Sequence, residues 1–235
     1  MAITGKTVTR VPGIEKLSAA QLRALDAAAN KLGIPVDWLA TVISFETAGT
    51  FSPTKRNMAG SGAFGLIQFM PSTAKWLLNA PTNDEAVRRG MAMSFEEQLQ
   101  KMVIPYLQPH AKRFKLLSDV YLAIFYPVAM GKNADYVIGT APGAVYTQNK
   151  GFDKTGKGYI TRADVTRTID NLSISAARNP RVAINSATPW GQVAVGASLA
   201  VGAIWSSVHF LPKKYVPSEY RALDPIKGGK FKWPF

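Results

Sequence analysis

Cysteine is absent from the 235-residue chain, and histidine occurs only as His110 and His209. A disulfide framework, a thiolate zinc site and a cysteine nucleophile are therefore excluded, and a histidine-rich metal centre lacks ligands. The redox compartment stays open, because a cysteine-free chain works in reducing and oxidising surroundings alike. Acidic residues are scarce too: 15 Asp and Glu face 28 Lys and Arg, a formal charge of +13 with a sequence pI near 10.0. That imbalance favours polyanions such as nucleic acid, anionic lipid or the acidic polymers of a bacterial envelope. No recognised nucleic-acid motif accompanies it, so nucleic acid is not expected as a specific partner. No signal peptide is expected either: residues 1–17 include Lys6, Arg10, Glu15 and Lys16 and hold no long apolar stretch. Internal repeats and useful runs of strand-like alternation are also missing.

What is present is apolar and helical in pattern. Hydrophobic residues make up 47% of the chain, enough to exclude a disordered protein. Ser18 caps a run with Leu22, Leu25, Ala29 and Leu32 at helical spacing, and Gly33 stops it. Asp37 opens a second run through Phe45 that is expected to end near Gly49. Residues 48–64, rich in Gly, Ser, Thr, Asn and Pro, read as a long loop. Pro71-Ser72 precedes a short helix through Leu78. Ser94 and Glu97 form a capping box ahead of Leu99, Met102, Val103 and Leu107. Asp119 is expected to start an apolar helix covering Val120 to Met130, with Pro127 near its end. The expected fold class is all-α.

The character changes near residue 149. Before it stand 15 basic and 10 acidic residues, after it 13 and 5. Three stretches are expected: a catalytic-type domain over 1–148, a turn-rich loop and helix over 149–180, and an apolar helix with a basic arm over 181–235. The loop Asp153-x-Thr155-x-Lys157-Gly158-Tyr159-Ile160-Thr161-x-x-Asp164 has the outline of an EF-hand calcium site. Lys157 stands where an Asp or Asn normally sits, and its charge repels calcium. The loop is read as degenerate, with Asp153, Thr155 and Asp164 as weak metal candidates and no cofactor expected. Residues 193–211 carry no charge and would span about 28 Å as a helix at ~1.5 Å per residue. Lys213-Lys214 follow directly. A membrane contact and burial inside an assembly are both open readings of this segment.

Glu46 stands apart. It closes an apolar helical run, lies between Phe45 and Phe51, and no other acidic residue occurs from Thr47 to Thr82. A carboxyl at the end of a buried helix has a raised pKa, because desolvation disfavours its charged form. Such an acid, protonated near neutral pH, can give its proton to a leaving oxygen. The stretch from Gly62 to Ala74 adds backbone freedom at Gly62 and Gly65, with one amide, Gln68, able to donate and accept.

Two motifs then carry a resemblance. Glu46-Thr47-Ala48-Gly49-Thr50-Phe51-Ser52-Pro53 is followed by Gly62-Ala63-Phe64-Gly65-Leu66-Ile67-Gln68-Phe69-Met70-Pro71-Ser72-Thr73-Ala74. Together, over roughly residues 17–135, they resemble the soluble lytic transglycosylase family, in its phage-type form. That family has a lysozyme-like helical fold and cleaves peptidoglycan. Thr47 stands in place of the usual Ser, and Ile67 in place of Met. The third motif, usually Ala-Tyr-Asn-Ala-Gly, is reduced to Ile124-Phe125-Tyr126-Pro127-Val128-Ala129-Met130-Gly131, with Tyr126 or Phe125 in the Tyr position.

The resemblance implies Glu46 as the catalytic acid and base, with Gln68, Tyr126, Phe64, Thr47, Gly62 and Phe51 around the substrate. It implies a cut between N-acetylmuramic acid and N-acetylglucosamine that leaves a 1,6-anhydro end. Asp84 or Glu85, as a second acid, would instead give a hydrolytic, lysozyme-type reaction. The expected partners are peptidoglycan and other virion proteins, and the expected location is a virion acting in the host cell envelope. A structural virion or membrane-docking protein with a non-catalytic lysozyme-like domain is the alternative.

Overall fold

In a computed structural model, residues 6–57 and 60–184 are described; the apolar segment 193–211 and the basic arm lie outside them. The described chain is mostly helical. Helix α1 (Ala19–Leu32) begins at a complete capping box between Ser18 and Gln21 and ends at Gly33, in the left-handed conformation at φ +69°. Helix α2 (Val36–Glu46) follows after Pro35. Short helices α3 (Pro71–Leu77) and α4 (Asn83–Met91) pack on each other. Helix α5 (Phe95–Gln98) continues through a π-helical turn over 99–103 into α6 (Ile104–Leu107). Helices α7 (Leu117–Phe125), α8 (Ala144–Asn149) and α9 (Arg162–Ala177) complete the set.

Helices α2 and α7 are central. Every residue of α7 is buried, and α2 buries Leu39, Ala40, Thr41, Val42, Ile43 and Ser44 in succession. A helix that is apolar all round needs neighbours all round. Here α2 packs against α1, α7 and α9, and α9 packs against α7 as well. Val165 and Ile169 of α9 belong to the same core as Leu39 and Val120. Residues 149–184 thus pack into the body of the molecule.

Two short antiparallel pairs join distant parts of the chain. Strand β1 (Thr7–Val8) pairs with β4 (Val182–Ala183), and β2 (Val137–Thr140) pairs with β3 (Tyr159–Thr161). Arg181 reinforces the first pair, donating to the Thr7 carbonyl at 3.0 Å and to the Asp37 carboxylate at 2.9 Å.

Several expectations are corrected. Helix α2 stops at Glu46 and not near Gly49, because the Thr47 hydroxyl donates to the Ile43 carbonyl at 2.7 Å and accepts from the Phe51 amide at 3.0 Å. The chain then turns through left-handed Ala48 and Gly49. Helix α4 has no counterpart in the periodicity, since only Ala86 and Gly90 are buried on it; Thr82 caps it through the Glu85 amide. Helix α7 begins at Leu117, and Asp119 serves at its third position by accepting from the Lys115 and Leu116 amides, each at 3.0 Å. It ends at Phe125 and does not reach Met130, because Pro127 bars the helical conformation at Tyr126, which adopts φ −155°.

Candidate active site around Glu46

Glu46, the last residue of α2, is 3% exposed. Burial holds its carboxyl well above the usual range for glutamate. Two phenols share its surroundings. Tyr121 of α7 is fully buried, and its hydroxyl has no hydrogen-bond partner among the described residues. Burial first, and the Glu46 charge second, push the Tyr121 phenol far above its ordinary value. The same causes, in the same order, push Tyr106 up to about 12. Both phenols therefore stay neutral and keep an O–H to donate. Phe45 meets Tyr121 edge-on at 5.2 Å, and Tyr121 stacks on Phe125 at 5.7 Å. Phe152, at 5.3 Å from Phe125, closes the aromatic cluster.

The turn behind Glu46 is fixed from the N-terminal side. Ser44 donates to the Pro12 carbonyl at 2.7 Å, and the Lys16 ammonium donates to the Gly49 carbonyl at 2.6 Å. Gly13, at φ +85°, comes so close that a β-carbon there would lie 1.8 Å from the Gly49 oxygen. Only glycine permits that approach.

The glycine-rich stretch folds as a tight reversed loop. Phe64 and Phe69 exchange backbone hydrogen bonds of 3.1 and 2.7 Å, with Gly65 and Gln68 both at positive φ between them. Gln98 of α5, fully buried, braces it. The Gln98 amide nitrogen donates to the Pro53 and Gly90 carbonyls at 3.1 and 2.9 Å, and its oxygen accepts from the Leu66 amide at 2.7 Å. Tyr106 links this loop to α7: its ring meets Phe69 edge-on at 6.0 Å, and its hydroxyl points to the Ala123 carbonyl at 3.4 Å.

The residues expected to line a sugar site mostly turn inward. Gln68 is buried; its amide nitrogen donates to the Lys55 and Gly65 carbonyls at 3.2 and 2.9 Å, which makes it a brace of its own loop. Phe64 is fully buried against Phe69 and the Gly90 backbone, and Phe51 is buried too, so neither presents a ring face to a ligand. The Thr47 hydroxyl serves the turn after α2. Gly62, at φ +76°, lies partly exposed beside Pro71. Tyr126 directly follows α7 and is buried. Its phenol is raised by burial and then by Tyr136, whereas the phenols that feel Glu46 are Tyr106 and Tyr121.

The two candidates for a second acid both lie at the start of α4. Glu85 accepts from Arg88 at 2.7 Å and from Arg89 at 2.7 Å, which hold its carboxyl down at about 2. It stays ionised and makes a poor proton donor. Asp84 is exposed in the first turn of α4.

The EF-hand-like loop keeps its turn through internal bonds. Asp153 accepts from the Lys157 and Gly158 amides at 3.1 and 2.8 Å and from the Tyr146 hydroxyl at 3.0 Å. The Lys157 ammonium donates to the Asp164 carboxylate at 2.7 Å. The side chain of Thr155 reaches only Asp153, at 3.4 Å. Among the described residues no group of three or more His, Asp or Glu is placed to hold a metal ion. No family model matches the chain, and no curated protein matches it.

Proposed function

We propose that the chain is a phage-type lytic transglycosylase with a lysozyme-like domain, and that Glu46 carries its chemistry alone. The observation that supports this most is the burial of Glu46 beside two neutral phenols, which favours a carboxyl that holds its proton at neutral pH. In the first half-reaction Glu46 gives its proton to the β-1,4 oxygen between N-acetylmuramic acid and N-acetylglucosamine, and the C1–O bond breaks. In the second, the Glu46 carboxylate takes the proton of the muramic C6 hydroxyl as that oxygen bonds to C1. The product is a 1,6-anhydro end, no water is consumed, and Glu46 regains its proton. The nucleophile is built into the substrate, so proximity supplies what a second carboxylate gives in other glycosidases.

The site of action proposed with this chemistry is the host peptidoglycan, reached from the virion during genome delivery. Mass spectrometry of digested sacculi is the test. Anhydro ends that vanish with Glu46→Gln support the reading; reducing ends, heavier by one water, would make the protein a hydrolytic muramidase. Retained activity in Glu46→Gln would remove Glu46 from the reaction.

A second reading is favoured by the inward placement of Gln68, Phe64, Phe51 and Thr47. In it the lysozyme-like body is a structural virion or docking component that binds glycan without cutting. Sugar binding with no clearing on a peptidoglycan zymogram is its signature.

A further inference from the structure

One face of the molecule combines positive charge with exposed apolar tips. Residues 110–116 and 130–137 contain Lys112, Arg113, Lys115 and Lys132, all exposed, and a single carboxylate, Asp135. The two segments lie side by side. The Arg113 guanidinium donates to the Met130 carbonyl at 3.3 Å. Asp119, which accepts from the Lys115 and Leu116 amides, also accepts from Arg162 at 3.3 Å. The Arg162 amide in turn donates to the Tyr136 carbonyl at 2.9 Å, and the Ala163 amide to the Ala134 carbonyl at 2.8 Å. Asp119 and Arg162 neutralise one another beneath this surface, so the net charge outside is positive.

Leu116 is the odd residue on it. It is 49% exposed, and it occupies the N-cap of α7. Ser, Thr, Asp or Asn are preferred there, because a leucine side chain has no acceptor for the orphan amides. Neither burial nor capping accounts for a leucine at this place. Val137, on β2, is 46% exposed on the adjoining segment.

We infer that this face docks on a bilayer surface containing anionic phospholipid. The lysines and Arg113 meet the headgroup phosphates, and Leu116 and Val137 enter the boundary below them. A purely polyanionic partner would use the charges and leave Leu116 in water, so the apolar tips favour lipid. The inference stands independently of the reaction proposed for Glu46 and uses none of its residues.

The test is co-sedimentation of the full chain with vesicles of phosphatidylcholine alone or with about 30% phosphatidylglycerol, at low salt and at about 0.5 M salt. Binding is expected only to the anionic vesicles, and weaker at the higher salt. Lys112→Gln with Lys115→Gln should weaken it about 30-fold, near fivefold per charge removed. Leu116→Ser should weaken it about fivefold, for the loss of one partly inserted side chain. Serine is the better N-cap, so Leu116→Ser keeps or raises the melting temperature and separates docking from folding. Wild-type binding in both variants, or none by the wild type, overturns the inference. Loss in the double lysine variant with Leu116→Ser unchanged also overturns it, and points to a soluble polyanion.

Discussion

Replacing Glu46 by glutamine should stabilise the protein while abolishing the reaction proposed for it, and the stabilisation should grow with pH. The unfolded chain releases the Glu46 proton near 4.5; the folded chain holds it to a much higher pH, because the carboxyl is buried. Between those two values the native state binds one more proton than the unfolded state. Unfolding free energy therefore falls as pH rises across that window, with a limiting slope of about 1.4 kcal/mol per pH unit. Above the raised value the penalty is constant. Below 4.5 both states are protonated and the penalty vanishes. Glutamine keeps the shape and removes the titration. For a body of this size the difference amounts to roughly 3–6 °C in melting temperature per pH unit. Urea denaturation of both proteins from pH 4 to pH 8 (about half-unit steps suffice) gives the difference curve directly. Other carboxylates cancel in it, including Asp153 and Asp164, whose lowered values contribute stability that is lost as pH falls. A pH-independent difference between the two proteins would refute the reasoning, for it would mean that Glu46 titrates alike in both states.

Three further outcomes are expected. Gln98→Leu leaves the Leu66 amide and the Pro53 and Gly90 carbonyls without their partner, and should destabilise by about 3 kcal/mol in urea; a loss below about 1 kcal/mol would deny Gln98 its bracing role. Asp119→Ala strands the largely buried Arg162 and two amides at the start of α7, at a cost of about 3–5 kcal/mol, and an equally stable variant would show the pair to be dispensable. Removal of divalent cations with EDTA should leave the melting temperature unchanged, because the Lys157 ammonium already faces Asp164; a drop of several degrees would return the 153–164 loop to calcium.

What could be read in advance was local. The cap at Ser18 and the Ser94–Glu97 box each close within one helical turn, so three or four letters suffice to specify them. The raised carboxyl at Glu46 was legible because the apolar run before it implied burial. Helix α4 was not, since a helix that buries two small residues leaves no hydrophobic stripe. The β1–β4 and β2–β3 pairs were not either, because their partners stand far apart and each strand is only a few residues long. Tyr121 lay hidden in a helix buried on every side, where no face is marked as special. Tyr106 follows a π turn and Pro105, which break the spacing that would have aimed it at Glu46. Gln68 was singled out for its polarity, yet polarity in a tight glycine loop answers first to the loop's own carbonyls.

The seam between β1 and β4 has a mechanical meaning. Thr7 lies opposite Ala183, Val8 lies opposite Val182, and the Ile184 amide donates to the Lys6 carbonyl at 2.9 Å, so the chain leaves both strands on the same side. Tension applied through residues 6 and 184 loads these bonds one after another, like a zipper, and never all together in shear. The helical body thus yields under load at a threshold set by single bonds at its seam, while its endurance against heat is set by the whole interior.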